Sequence, residues 1–278
     1  CGAEVDVRQP EQIARAFDEV EAKLGPVSVL VNNAAGNFPV PAEELSPNGW
    51  RAVTQIVLDG TFFCSSEFAK RRMAAALPGA ILNIGATYSF TGGPGAAHSA
   101  AAKAGVLNLT MTLAVEWAPH GIRVNCLHPG LFPHEDMAAH MRANRPEGYT
   151  DAGRTVPAGR VGRLHELGWA ATYLCSPFAS YVSGLSFVID GANWQRRSLV
   201  NPAEDGSRLE RPRGYRRPAA FNAWPNLKST YPVSAIAIKS GRPKGNMARG
   251  YTFVCARGNR ASRTGSAGRS RTAWPPWP

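Results

Sequence analysis

Short apolar runs alternate with segments of helical period through the first two thirds of the chain, and this alternation restricts the fold most. Val27 to Asn32, Ala80 to Ile84, Ile122 to Leu127 and Leu185 to Ile189 have the length and apolar continuity of buried strands. Between them lie helical patterns. Pro10 to Leu24 carries Ile13, Phe17, Val20 and Leu24 at helical spacing, with Pro10 suited to a first turn and Gly25-Pro26 to a stop. Trp50 to Ala76, His98 to Trp117 and Leu164 to Leu174 follow, with Val53, Ile56, Val57 and Leu58 facing inward from the first of these. Strand, helix, strand in repetition predicts an α/β fold around a doubly wound parallel sheet.

The sheet enters late. Val5-Asp6-Val7 reads as the end of a third strand. Such a sheet places a Gly-rich strand-to-helix turn first, because a dinucleotide pyrophosphate rests on that helix N-terminus. Roughly 60 residues, one β-α-β unit and its neighbours, are expected ahead of this point. Thr91-Gly-Gly-Pro-Gly95 is Gly-rich and lies between strand and helix, but it reads as a loop beside reactive residues.

Those residues are Tyr88, Ser99 and Lys103. Ser99 and Lys103 stand four apart in the Ala-rich stretch 98–105, hence on one helical face. Tyr88 follows the strand Ala80 to Ile84 and can fold over that face. A nearby ammonium favours the phenolate, which suits a phenol to proton donation near neutral pH. Each residue also has a plain reading: a solvated lysine, a core tyrosine, a serine at a helix start.

The surrounding motifs resemble the short-chain dehydrogenase/reductases, and within them the 2,4-dienoyl-CoA reductase-like branch, over residues 1–203. Most of that family carries Tyr-x-x-x-Lys; here Ser99 stands four before Lys103, and Tyr88 lies in the preceding loop, as in this branch. The run Leu30-Val-Asn-Asn-Ala-Ala-Gly-Asn-Phe38 has the extra Ala and the Asn-Phe typical of the branch. Val57 replaces the usual catalytic asparagine, and Ala86 the usual catalytic serine.

The resemblance implies a Rossmann-like fold and hydride transfer from NADPH (NADP as cofactor) to an unsaturated fatty acyl-CoA. It implies that Tyr88, Lys103, Asn37 and Ser99 are catalytic, with Asn37 hydrogen-bonding the thioester carbonyl and Lys103 also holding the nicotinamide ribose. It places Asp6 and Val7 at the adenine, the backbone of Asn33, Ala34, Ala35 and Gly36 along the cofactor, and Pro129, Gly130, Leu131 and Phe132 beside the nicotinamide. Arg8, Asn37, Phe38 and Ser46 match positions lining the acyl-CoA site, where an Arg suits CoA phosphate. Asn37 and Ser46 also have plain readings in turns and caps. His134 to Arg145 is expected as a substrate lid, and His98 receives no role. A homo-oligomer, a tetramer assembled through the two long helices, is implied as well.

Charge divides the chain. Of 31 basic and 20 acidic residues, 204–278 hold 15 and 3, leaving 16 and 17 in residues 1–203. The tail 204–278, rich in Arg, Pro, Gly and Ser, has no continuous amphipathic pattern; it reads as irregular, either disordered or the product of a shifted reading frame. Arg249-Gly-Tyr-Thr-Phe-Val254 partly matches an RNA-recognition strand, but the partner strand and following helix are missing, so chance similarity is the better reading. Five scattered cysteines without a Cys-x-x-Cys pair argue against a disulfide framework or zinc site, and no secretory leader or membrane-span pattern is visible, so the expected place is the cytoplasm. Three rivals stay open: a conventional 3-oxoacyl- or ketone-reducing dehydrogenase, a non-catalytic remnant, and a basic-tail nucleic-acid binder.

Overall fold

The computed structural model describes residues 2–133 and 156–195, and the backbone of two further strands at 234–240 and 251–257. The expected lid at 134–145 and the rest of the tail lie outside the described residues. In chain order the elements are β1 (Gly2–Val5), α1 (Pro10–Leu24), β2 (Val29–Asn32), α2 (Pro47–Thr54), α3 (Gly60–Ala74), β3 (Gly79–Ile84), α4 (Tyr88–Thr91), α5 (Ala97–Trp117), β4 (Ile122–Pro129), α6 (Leu164–Cys175), β5 (Ser186–Ile189), β6 (Ser234–Ser240) and β7 (Tyr251–Arg257). They build one seven-stranded sheet in the order β1-β7-β6-β2-β3-β4-β5.

The central strands are apolar throughout because both faces are covered. Successive residues point opposite ways. Leu30, Ile81, Val124 and Cys126 enter the core shared with α1, α3 and α5. Leu82 and Leu127 turn to the other face, where Leu174 of α6 covers them. Strands β2, β3, β4 and β5 are parallel, with Leu30 beside Ile81 and Asn83 beside Cys126.

A buried polar chain ties this core together. Asn32 Nδ2 donates to Asn83 Oδ1 at 2.8 Å and to Ser65 Oγ at 2.9 Å. Asn83 Nδ2 donates to Thr110 Oγ1 at 2.9 Å, and the Thr110 hydroxyl donates in turn to the Val106 carbonyl at 2.8 Å. These bonds link β2, β3, α3 and α5. Arg72, on α3 and nearly buried, donates to the carbonyls of Pro78 and Val27 and holds the turns entering β3 and β2.

The long helix expected from Trp50 to Ala76 is interrupted. Gln55–Asp59 forms a π-turn, with the Gly60 amide donating to the Gln55 carbonyl. The wider turn places Ile56 and Val57 in the core together, and the Val57 carbonyl accepts from Thr61 Oγ1 at 2.7 Å.

In the tail, the backbone at 234–240 and 251–257 is extended and joins the sheet. β6 lies parallel to β2, with Val29 beside Ala235 and Asn32 beside Ile238. β7 runs antiparallel to β6 and to β1. The physical reason is the exposed edge of β2, whose backbone groups need partners. Ala235-Ile-Ala-Ile238 and Tyr251-Thr-Phe-Val254 supply β-branched and aromatic residues suited to that edge. Because β7 opposes both neighbours, β1 is parallel to β2, and Asp6 emerges at the same sheet edge as Asn33, Gly85 and Gly130.

Asn83→Ala would remove one of the two buried hydrogen bonds that the Asn32 amide donates, leaving the one to Ser65, and would remove the donor to Thr110 Oγ1. Urea unfolding should show a loss of about 2–3 kcal/mol with an unchanged denaturant slope. A loss below about 0.5 kcal/mol would mean that the polar chain contributes little.

Candidate active site

The site is built where α5 begins. The buried stripe of α5 comprises Ser99, Ala102, Lys103, Val106, Thr110 and Leu113, so the spacing that packs this helix also carries Ser99 and Lys103 inward. Ser99 is 2% exposed and Lys103 6%. Tyr88 opens the short helix α4, and its hydroxyl lies 3.0 Å from Ser99 Oγ, either atom being able to donate. The Lys103 ammonium donates to the Ile84 carbonyl at the end of β3. Burial pushes the Lys103 pKa down to about 8, with Cys126 opposing the shift. Cys126 itself is held up near about 12 by burial and is a neutral thiol at pH 7.

Asn37 lies on the exit from β2. Asn33, Ala35 and Asn37 are exposed there, Gly36 is half-buried, and Ala34 turns into the core. The loop is fixed at two points. The Val40 amide donates to the Gly95 carbonyl at 2.9 Å, which joins the Asn37 loop to the Tyr88 loop. Phe38 meets the ring of His98 edge-on, with centroids 4.5 Å apart. Tyr88, Ser99, Lys103 and the Asn37 loop are therefore brought to one end of the sheet.

The remaining expected residues divide. Pro129 and Gly130 lie at the end of β4, with the Gly130 amide on the Ile189 carbonyl at 2.9 Å; a Cβ on Gly130 would meet Asp190 at 2.4 Å, so only glycine permits this approach. Leu131 is half-buried, and Phe132 is buried against Gly162, a packing contact that takes its ring into the wall beneath β5. Asp6 and Val7 follow β1. Val7 is buried and packs on Gly60. Asp6 is gripped by Arg8, whose Nε and Nη2 donate to its two oxygens at 2.9 and 2.6 Å. Burial would raise the Asp6 carboxyl; bonds from the Arg8 side chain and amide, with its charge, outweigh this and hold it below the usual range. Ser46 caps α2, accepting from the Gly49 amide at 3.1 Å, which is the plain reading of that serine.

One histidine, His128, escaped the sequence reading. His128 is fully buried at the end of β4, Nδ1 lying 3.1 Å from the Ala86 carbonyl and 3.4 Å from Ser89 Oγ. Burial lowers its pKa, against the Ala86 bond, so the ring is neutral. A Cβ on Gly85 would strike it at 2.4 Å. Its ring faces Phe90, and Phe90 faces Trp194, giving the site an aromatic wall. The signal for His128 was its place before Pro129-Gly130 at a strand end. His98, given no role, is also fully buried, with neither ring nitrogen bonded to protein.

The residues fit the nicotinamide-ribose end of a dinucleotide. The buried Lys103 ammonium sits on the Ile84 carbonyl at the end of β3, and Asn33 and Ala35 are exposed where the chain leaves the neighbouring strand β2. Among the described residues no Gly-rich strand-to-helix turn lies between β1 and β2 to cradle a pyrophosphate.

Comparison with known proteins agrees with this arrangement. Residues 2–192 match the family profile described as enoyl-(acyl carrier protein) reductase. The probable 2,4-dienoyl-CoA reductase of Bacillus subtilis is 43% identical over 192 residues, 69% of this chain and 75% of that protein. The mouse peroxisomal 2,4-dienoyl-CoA reductase is 39% identical, over 68% of this chain and 64% of its own length, so the chain spans less than two thirds of that relative. Among solved structures, a short chain dehydrogenase from Bacillus anthracis superimposes with a TM-score of 0.62 at 43% identity, covering 70% of this chain and 75% of the other. A gluconate 5-dehydrogenase from Burkholderia cenocepacia, in complex with NADP and tartrate, gives 0.63 at 33% identity, over 69% and 74%.

Lys103 binds fewer protons folded than unfolded between pH 8 and its ordinary 10.5. Stability should therefore rise with pH across that window relative to a Lys103→Met variant. Urea midpoints from pH 7 to 10.5 would show the difference; parallel curves would mean an unperturbed lysine.

Proposed function

The chain belongs to the short-chain dehydrogenase/reductase family, and on that premise we propose that it is an oxidoreductase that reduces an unsaturated fatty acyl-CoA of the 2,4-dienoyl type, with NADPH as the donor. The observation that carries this reading is the Tyr88 hydroxyl 3.0 Å from Ser99 Oγ, with Lys103 one turn further along the same buried stripe. A phenol is recruited from the loop after β3, and a serine fills the helical position that most of the family gives to tyrosine.

A reduced nicotinamide bound beside Lys103 would supply the hydride. The chain's own residues do the rest. Tyr88 and Asn37 hydrogen-bond the thioester oxygen and favour the negative charge that accumulates there as the conjugated system is reduced. Ser99 holds the phenol in place. The Lys103 ammonium, close to a titration point of about 8, supplies positive charge to the pocket at pH 7 and loses it in alkali. Water protonates the dienolate. A ketone-reducing mechanism has less support, because Val57 is an apolar core residue and Ala86 offers only a backbone carbonyl, already bonded to Ser89 and His128.

The relatives' names favour an acyl-CoA substrate, and the NADP in the Burkholderia structure favours a nicotinamide dinucleotide. Among the described residues no helix is long and apolar enough to cross a membrane. Exposed Phe62 on α3 and Met111 and Val115 on α5 supply the apolar surface for assembly through the two long helices into a homo-oligomer, a tetramer in this reading.

Tyr88→Phe should lower kcat with a 2,4-dienoyl-CoA by about 100- to 1,000-fold while acyl-CoA binding stays within about threefold. Equal loss of turnover and binding would remove Tyr88 from the chemistry. The wild-type rate should fall as pH passes through about 8, where Lys103 loses its proton. A flat rate from pH 7 to 9.5 would contradict that role.

A further inference from the structure

Three contacts from the turn that carries Tyr88 meet at one buried ring. His128 Nδ1 lies 3.1 Å from the Ala86 carbonyl and 3.4 Å from Ser89 Oγ, and the Phe90 ring stacks obliquely on the imidazole with centroids 4.7 Å apart. Ala86, Ser89 and Phe90 thus all touch His128, while Tyr88 from the same turn reaches Ser99 on α5. The turn is held between β4 and α5. Glycine at position 85 makes room for this, since a Cβ there would meet Nδ1 at 2.4 Å.

The bonds inside the turn do not fix its place on the sheet. The Ser89 amide and hydroxyl donate to the Ala86 carbonyl at 3.1 and 2.6 Å, and the Gly92 amide donates to the Tyr88 carbonyl at 2.9 Å. These close the turn on itself. Lys103 holds the Ile84 carbonyl, and the Gly85 amide donates to the Leu127 carbonyl at 2.8 Å, but both bonds lie where β3 ends. Past Gly85, among the described residues, the hydrogen bond from His128 is the one that ties the turn to β4. A carbonyl oxygen only accepts, so Nδ1 carries the ring proton and donates it. The margin is narrow. The Tyr88–Ser99 contact of 3.0 Å is lost beyond about 3.5 Å, and misplacing a reacting group by about 1 Å can cost about 100-fold in rate.

We propose that His128 is a positioning residue for the phenol: its Nδ1–H holds the Ala86 carbonyl and its ring carries Phe90, so that the Tyr88 hydroxyl stays within hydrogen-bond reach of Ser99. This rests on the reading of Tyr88 as a donor to the thioester oxygen. His128 is fully buried and offers no surface to a substrate, so it acts through the turn. Its removal should resemble a partial loss of Tyr88, and should cost nothing further once the Tyr88 hydroxyl is gone. Asparagine at this position can present an N–H where Nδ1 stands; leucine cannot.

Two measurements on the full chain test it, each with His128→Leu and His128→Asn. In hydrogen exchange, His128→Leu should speed the amides of Ser89, Phe90 and Gly92 at least about tenfold, leave those of Val106 to Leu113 within about threefold, and His128→Asn should restore most of the protection. Unchanged exchange in the turn, or equal loosening along α5, would overturn the proposal whatever the activity. In turnover of a 2,4-dienoyl-CoA, His128→Leu should lower kcat about 10- to 100-fold with KM within about threefold, and His128→Asn should stay within about fivefold of wild type. In a Tyr88→Phe background the further loss from His128→Leu should be below about threefold. Equal losses in the two backgrounds, or an asparagine variant as slow as the leucine one, would overturn it. Should His128→Leu not fold, His128→Gln, whose amide reaches past the Nδ1 position, takes its place in both measurements. Full turnover by Tyr88→Phe alongside a loosened turn in His128→Leu would remove the Tyr88 reading, and the catalytic use of the tie with it, while leaving the tie itself in place.

Discussion

The burial of one face of α5 is the constraint on which the rest of the structure depends. Residues at 99, 103, 106, 110 and 113 fall on that face because the helix repeats every 3.6 residues. Val106 and Leu113 fill the core against β4, Thr110 closes the polar chain from Asn32 and Asn83, and Ser99 and Lys103 meet the ends of β3 and α4. Core and site are thus one surface. A lysine so placed is costly unless its ammonium finds oxygen, and the Ile84 carbonyl provides it. The same burial brings its titration toward neutrality, where a proton donor's neighbour is useful.

The second constraint is the need to pair β2. A four-residue strand with β3 on one side leaves its other edge open. Strands from the basic tail meet that need and extend the sheet to β1. At the other end of the sheet, Asp6 follows β1 and is paired with Arg8.

Much of this was legible in the sequence, and the failures have physical causes. Apolar runs and helical spacing located α1, α5, α6 and β2 to β5 to within about two residues. Ser99 and Lys103 were placed on one face by arithmetic alone. The π-turn was hidden because one added residue in Ile56-Val-Leu58 leaves an apolar run unchanged. Ser46 followed by Pro47 is a helix-start signal, and its side chain accepts from the Gly49 amide at the start of α2. β6 and β7 were obscured because their short apolar stretches sit among Arg, Gly and Pro, and they become strands only when an edge elsewhere in the chain offers partners. His128 was missed because neither a Gly85 that leaves room for its ring nor an Ala86 carbonyl that fixes it is visible in one dimension.

The central claim is that a phenol held by Ser99 serves reduction of a conjugated thioester and not of a ketone. The most direct measurement is NADPH oxidation by the full chain with a 2,4-dienoyl-CoA and, separately, with a 3-oxoacyl-CoA of equal length. The account predicts oxidation with the dienoyl thioester and a rate at least about 100-fold lower with the oxo compound. Faster turnover of the 3-oxoacyl-CoA would contradict it.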